Sequence, residues 1–284
     1  MTQVPSVRQA LVGSMLRRFR EARGYSLDDA ARILECDRSK ISRVETGQRG
    51  IRPKELRELL TEYGVGAGVQ DTLAAIARPG GADGWWKDCR GVLPEACVDF
   101  IVAEGVASRV RVYAPLQVPE LLWTPDYGLA VAAADPAIAE GAEGAAVDAV
   151  IAYRGAVLFG RQPECTVILG EAALRRQAGE PAVMRAQLAR LVTLSGPGYP
   201  WLAIRVLPFA AGLHAAGGGG PYSVLGFSEI PDLGLVHVPG PQGGICLSEP
   251  SAVDAYTRVF DRLSGHALNP EQSALKLREL ARCR

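Results

Sequence analysis

Histidine is scarce: the chain of 284 residues has three, which leaves little for a histidine-built metal centre or a histidine base. Its six cysteines (Cys36, Cys89, Cys97, Cys165, Cys246, Cys283) are scattered, and no C-x-x-C pair is among them. That spacing excludes the common zinc frameworks and predicts reduced thiols in a cytoplasmic protein. The opening residues show no signal-peptide pattern. Long apolar runs are missing too. Stretches such as Gly128–Ala134 fall far short of the roughly 20 residues that span a bilayer, so no membrane segment is expected. The sequence also lacks H-E-x-x-H, G-x-S-x-G and the phosphate-loop pattern G-x-x-x-x-G-K-[ST]. Neither a catalytic residue nor a metal or cofactor is therefore assigned, and the chain is not expected to be an enzyme.

There is no excess of one charge sign, with 31 basic and 31 acidic residues, but the balance hides an asymmetry. Residues 1–78 carry 14 Lys and Arg against 10 Asp and Glu, and the remainder carries 17 against 21. A basic module on an acidic body suits a protein that offers one face to a polyanion. The length favours two domains. The segment Arg78–Gly84 (Arg-Pro-Gly-Gly-Ala-Asp-Gly) is the clearest break. It divides a helical domain at 1–78, by a linker at 79–84, from a body at 85–284.

In the first part, Leu11–Ala22 has apolar residues at helical spacing and stops near Gly24. Ser26 caps a second helix, with Asp28 and Asp29 in its first turn, where they complement the helix dipole. A break at Glu35–Cys36 leads to Asp37, an N-cap for a third helix through Thr46. Pro53 opens a fourth helix to Tyr63, and Gln70–Ala77 supplies a fifth. The body is expected to be mixed α and β. Strands are read at Arg109–Leu116, Cys165–Leu169, Trp201–Phe209, Tyr222–Phe227 and Leu235–Val238, with helices at Ala145–Phe159, Ala182–Leu194, Ser251–Leu263 and Pro270–Arg282. The closely spaced later strands suggest an antiparallel meander.

The third helix carries the functional signal. At about 100° per residue, Ile41 and Val44 mark its buried side. Ser39, Ser42 and Arg43 point away, flanked by Arg38 and Lys40, while Glu45 lies toward the core. An outward face of hydroxyls and cations without a carboxylate suits base edges and phosphates. Arginine can bind guanine with two hydrogen bonds, and serine can reach a base or a phosphate.

Leu16-Arg-Arg-Phe-Arg-Glu-Ala-Arg-Gly-Tyr-Ser-Leu-Asp-Asp-Ala-Ala31, followed by Asp37-Arg-Ser-Lys-Ile-Ser-Arg-Val-Glu-Thr-Gly47, resembles the Cro/C1-type (xenobiotic-response-element-type) helix-turn-helix family over residues ~10–65. The resemblance implies that Arg38, Ser39, Ser42 and Arg43 read bases, and that Arg20 pairs with Glu45 to hold the recognition helix. Leu27 stands where that family often has Gln, and Glu35 where it usually has Gly. The body is similar to the C-terminal domain of actinobacterial antitoxin-like regulators. The matching stretches are Glu104–Tyr113, Val118-Pro-Glu-Leu-Leu-Trp-Thr-Pro-Asp-Tyr127, Arg205-Val-Leu-Pro-Phe209, Gly220-Pro-Tyr-Ser-Val-Leu225 and Tyr256-Thr-Arg-Val-Phe-Asp-Arg-Leu263. Glu120 replaces the usual Gly there, and Trp123 the usual Gln. This likeness implies a small partner protein encoded nearby. The expected function is that of a homodimeric transcriptional regulator on a pseudo-palindromic double-stranded operator, with a body that binds that partner or, alternatively, senses a small molecule. An enzyme carried on a DNA-binding arm is a third class, and would need titratable groups converging in a cleft of the body.

Several residues carry bland readings beside sharper ones. Gly64-Val-Gly-Ala-Gly68 is read as an inter-helix turn and Gly217–Gly220 as a hairpin loop. His214 and His237 flank that tract and could meet as a weak metal pair. Trp85 and Trp86 are either core anchors or an interface. The apolar face of Ser251–Leu263 is read as core packing.

Overall fold

The computed structural model describes residues 6–78, 95–134, 143–217, 219–240 and 244–283. The linker expected at 79–84, together with Trp85, Trp86 and Cys89, lies outside them. Contacts divide the chain into two units, the first comprising 1–87 with 95–106 and the second the remainder.

In the first unit the helices are α1 (Val7–Ala22), α2 (Leu27–Ile33), α3 (Arg38–Glu45), α4 (Pro53–Glu62), α5 (Ala67–Ala77) and α6 (Glu95–Glu104). Leu11, Leu16, Ile41, Leu56, Leu59, Leu60, Leu73 and Ile76 are almost wholly buried between them, matching the apolar periodicity. Ser26 forms a capping box with Asp29. Asp37 occupies the N-cap position of α3, yet its side chain accepts no capping bond. Gly66 caps α5, so the glycine-rich stretch is a turn whose last residues already belong to the helix. The sequence assigned everything after residue 84 to the body, but α6 groups with α1. Buried Asp99 on α6 accepts hydrogen bonds from the Ser6 hydroxyl and the Arg8 guanidinium.

Two glycines set how closely α1 and α3 approach. A Cβ at Gly13 would lie 2.3 Å from the Val44 carbonyl oxygen, and one at Gly47 would lie 2.7 Å from the Ala10 Cα. Gly47 also has φ of +72°, a region open to glycine and strained for other residues. The turn between α2 and α3 does without that freedom, since Glu35 is held at φ of 46°. The left-handed conformation costs an L-residue about 1–2 kcal/mol, and glycine forfeits roughly 0.5–1 kcal/mol through its looser unfolded chain. Glu35→Gly is thus expected to stabilise the first unit by up to about 1 kcal/mol. Slower hydrogen exchange at the α2 and α3 amides would show it, whereas faster exchange would mean that the glutamate side chain compensates for its backbone.

The second unit is built on a six-stranded sheet ordered β3-β2-β1-β4-β5-β6. The strands are β1 (Arg109–Ala114), β2 (Glu164–Gly170), β3 (Leu202–Leu207), β4 (Tyr222–Gly226), β5 (Gly234–Val238) and β6 (Ile245–Leu247). β1, β2 and β3 run parallel, whereas β4, β5 and β6 form the expected antiparallel meander beside β1. Helices α7 (Pro125–Ala132), α8 (Glu143–Arg154), α9 (Glu171–Arg175), α10 (Pro181–Leu194), α11 (Pro250–His266) and α12 (Pro270–Arg282) complete the unit, and α8 runs on as a π-turn to Phe159. One sheet face, with Tyr113, Ile168, Tyr222, Val224 and Val236, packs on Phe260 and Leu263 of α11. Gly234 lets that helix close in, because a Cβ there would meet Val253 at 2.4 Å. At the β3 edge, the Val206 amide donates to the Ser273 hydroxyl of α12, and the Val206 carbonyl accepts from the Leu268 amide. The strand edge is therefore paired at Val206, which limits its use as a template for further strands.

The stretch Val118–Tyr127 is held by buried hydrogen bonds. Trp123 Nε1 donates to the Val118 carbonyl (2.7 Å), and the Val118 amide donates to the Tyr127 hydroxyl (3.1 Å). Gln187 of α10 accepts from the Thr124 amide (2.8 Å) and donates to the Leu122 carbonyl (2.9 Å). Glu120 pairs with Arg154 at 3.1 Å. These residues turn the chain from β1 into α7, which is structural work.

Candidate nucleic-acid interface

The recognition helix is positioned from behind. Glu45 points into the first unit, where Arg20 Nε and a terminal guanidinium nitrogen donate to its two oxygens at 2.7 and 2.8 Å. The remaining nitrogen donates to the Tyr25 carbonyl at 2.7 Å, and both charged side chains are buried. A bidentate pair of this kind fixes angle as well as distance. It ties α1, the later part of the α1–α2 turn and the last residue of α3 into one piece, and its Arg20–Glu45 pair is the one the sequence resemblance implies.

On the opposite side, Arg38, Ser39 and Arg43 are exposed and Ser42 is half-buried. Arg43 folds back along its own helix, donating to the Ser39 carbonyl (3.2 Å) and, more loosely, toward the Ser39 hydroxyl (3.4 Å). Both contacts are solvent-exposed and easily exchanged for a base or a phosphate. Arg38 lies 3.8 Å from Asp28 of α2. The outer face of α3 is free of acid, but its N-terminal end is flanked by exposed Asp28, Glu35 and Asp37. Arg38 therefore has to give up Asp28 to reach an anion.

Lys40 is placed differently from the other four. Its ammonium donates to Glu55 of α4 at 2.7 Å, and both side chains are largely covered. That bond holds the Glu55 carboxyl below the usual carboxylate range, so Lys40 braces α3 against α4. A helical projection of α3 alone could not show this, because the partner sits on another helix.

Three exposed cations not singled out from the sequence follow α3. Arg49, Arg52 and Lys54 are exposed in the segment leaving α3, and the Arg49 amide donates back to the Arg43 carbonyl at 3.1 Å. The signal was legible as three basic residues within six positions leading into a helix N-terminus, which itself favours anions.

The other candidates fall apart in space. His237 pairs across the sheet with Ser223, whereas Tyr113, against which His214 stacks edge-on, pairs with Tyr222. Adjacent strand residues face opposite sides, so the two histidines lie on opposite faces of the sheet. Among the described residues, no helix is long and apolar enough to cross a membrane.

Residues 11–73 match the helix-turn-helix domain family, and residues 97–279 match a family described as a domain of unknown function (DUF5753). No curated protein and no solved structure matches the chain.

Proposed function

The chain belongs to the DUF5753 family and carries a DNA-binding helix-turn-helix domain ahead of that region, and from this premise we propose that it is a sequence-specific transcriptional regulator of the Cro/C1 type that works as a homodimer. The observation that carries the reading is an exposed Arg38–Ser39–Arg43 face on a helix locked from behind by the Arg20–Glu45 pair. Two such helices in successive major grooves need half-sites centred about 34 Å apart, and hence a pseudo-palindromic operator. Arg43 and Arg38 supply direct readout. Arg49, Arg52 and Lys54 join them in neutralising phosphate, and Lys40 supports the helix through Glu55.

Selection of bound DNA from a random pool identifies the operator. On that operator Arg43→Ala is expected to cost about 1–3 kcal/mol and to relax preference at one base pair per half-site. The melting temperature should not change, since among the described residues the Arg43 side chain bonds only to Ser39 of its own helix. Unaltered affinity and base preference in this variant would refute the assignment.

The body acts in this scheme as the binding module for a small partner protein, in the manner of antitoxin-like regulators. The support is an exposed apolar set at one end of the sheet: Leu116 just beyond β1, and Phe209 and Leu213 beyond β3, with Leu213 98% accessible. Large apolar side chains exposed at the same end of a sheet are candidates for an interaction site where they form one patch. Repeating the DNA selection with and without the product of the neighbouring small gene tests the role of that partner.

A further inference from the structure

The face proposed to meet DNA carries acid at one end. Asp28 in the first turn of α2 is exposed, and so are Glu35 and Asp37 ahead of α3. Phosphate contacts supply nearly all of the sequence-independent affinity of a DNA-binding module, so a carboxylate there costs affinity and calls for a reason. Its neighbour Asp29 has a structural one. Asp29 accepts from the Ser26 amide at 2.7 Å and the Ser26 hydroxyl at 2.6 Å, closing the capping box of α2.

Asp28 is engaged otherwise. Among the described residues its contact is Arg38, with Oδ2 lying 3.8 Å from Nη1 and both side chains mostly exposed. The pair links the first turn of α2 to the first residue of α3. The charge of Asp28 also favours the α2 dipole, as any acid in a first turn does, but that effect does not need Arg38. Arg43 faces no such rival, because it rests on the neutral carbonyl and hydroxyl of Ser39. Of the two readout arginines, Arg38 is therefore the one that begins in an ion pair.

We infer that Asp28 is an intramolecular competitor of DNA for Arg38, holding the guanidinium in an internal pair and so lowering the affinity of each reading head for its site. The inference rests on the proposed function, in which Arg38 contacts the operator, and adds a regulatory residue to it. A state that must be left before binding lowers the apparent affinity by the share of molecules that occupy it. That toll is the same at every site where Arg38 lands. Asp28 thus sets how strongly the head binds and leaves its base preference alone. Salt screens a pair this exposed, so the competition is strongest at low ionic strength.

Binding of the full chain to its selected operator, followed by fluorescence anisotropy of a labelled duplex, tests it. Asp28→Asn keeps the side-chain shape at an exposed position. It is expected to bind about two- to fivefold more tightly, the factor that an exposed ion pair supplies. The gain should be largest at low salt, and the selected sequence should not change. Arg38→Ala should weaken binding, and adding Asp28→Asn to it should bring little further gain, because the two effects are coupled. Two results would overturn the inference alone: no tightening in Asp28→Asn while Arg38→Ala weakens binding, or an equal gain with and without Arg38, which marks general repulsion from phosphate. An Arg38→Ala variant that binds like the parent would instead remove Arg38 from the interface, and with it both its proposed role and this inference.

Discussion

Arg20→Met is expected to destabilise the helix-turn-helix unit by about 3–5 kcal/mol, because it strands a buried carboxylate. Glu45 would lose both of its charge-assisted bonds, and the Tyr25 carbonyl would lose its donor as well. Water cannot readily replace them, since Glu45 is only 8% exposed. The loss should appear as hydrogen exchange hundreds- to thousands-fold faster at the Ile41–Glu45 amides, because each 1.4 kcal/mol is tenfold. Operator binding should weaken in parallel although neither residue faces the DNA side. Replacing both partners tells a structural brace from a contact. Arg20→Met with Glu45→Leu removes the stranded charge and should recover most of the stability. A single variant that costs less than 1 kcal/mol would mean that the pair does not set the helix.

Gln187→Leu is expected to cost the second unit about 2–3 kcal/mol. Gln187 is fully buried and spans two backbone groups on either side of Trp123. Leucine fills a similar volume but leaves the Thr124 amide without an acceptor just where Thr124 caps α7. The Leu122 carbonyl keeps a partner in Arg190, which holds the figure below that of Arg20→Met. The full chain has two units and need not melt in one step. The useful readout is therefore the thermal transition reported by the buried Trp123, and an unmoved transition would show that the stretch closes without Gln187.

Much of the first unit was legible because its helices bury one stripe each. Ile41 and Val44 place α3 to within a residue, and Ser26 with Asp29 marks the start of α2. α6 escaped notice because Ala96, Val98, Phe100, Ile101, Val102 and Ala103 leave no polar face to betray a period. Lys40 was misplaced for a different reason: a long side chain chooses its partner across a fold that the local pattern does not contain. In the body, apolar runs located the longer strands, but β6 is only three residues long and α9 five. Strand order could not be read, because parallel pairing of β1, β2 and β3 depends on crossovers rather than on any local motif. The Tyr222–Tyr256 contact was invisible for the same reason, since the two rings meet only once β4 lies under α11.

The close approach at Gly13 and Gly47 leaves α3 no room to rock on α1, as any tilt drives backbone into backbone. On the proposed function, the reading head is held rigidly, and its taste for bases is built in during folding rather than tuned afterwards. In the proposed dimer, a signal arriving elsewhere on the molecule would change whether two heads reach their grooves together, and so the occupancy or the tolerated spacing of a paired site. It leaves the letters each head recognises as they were.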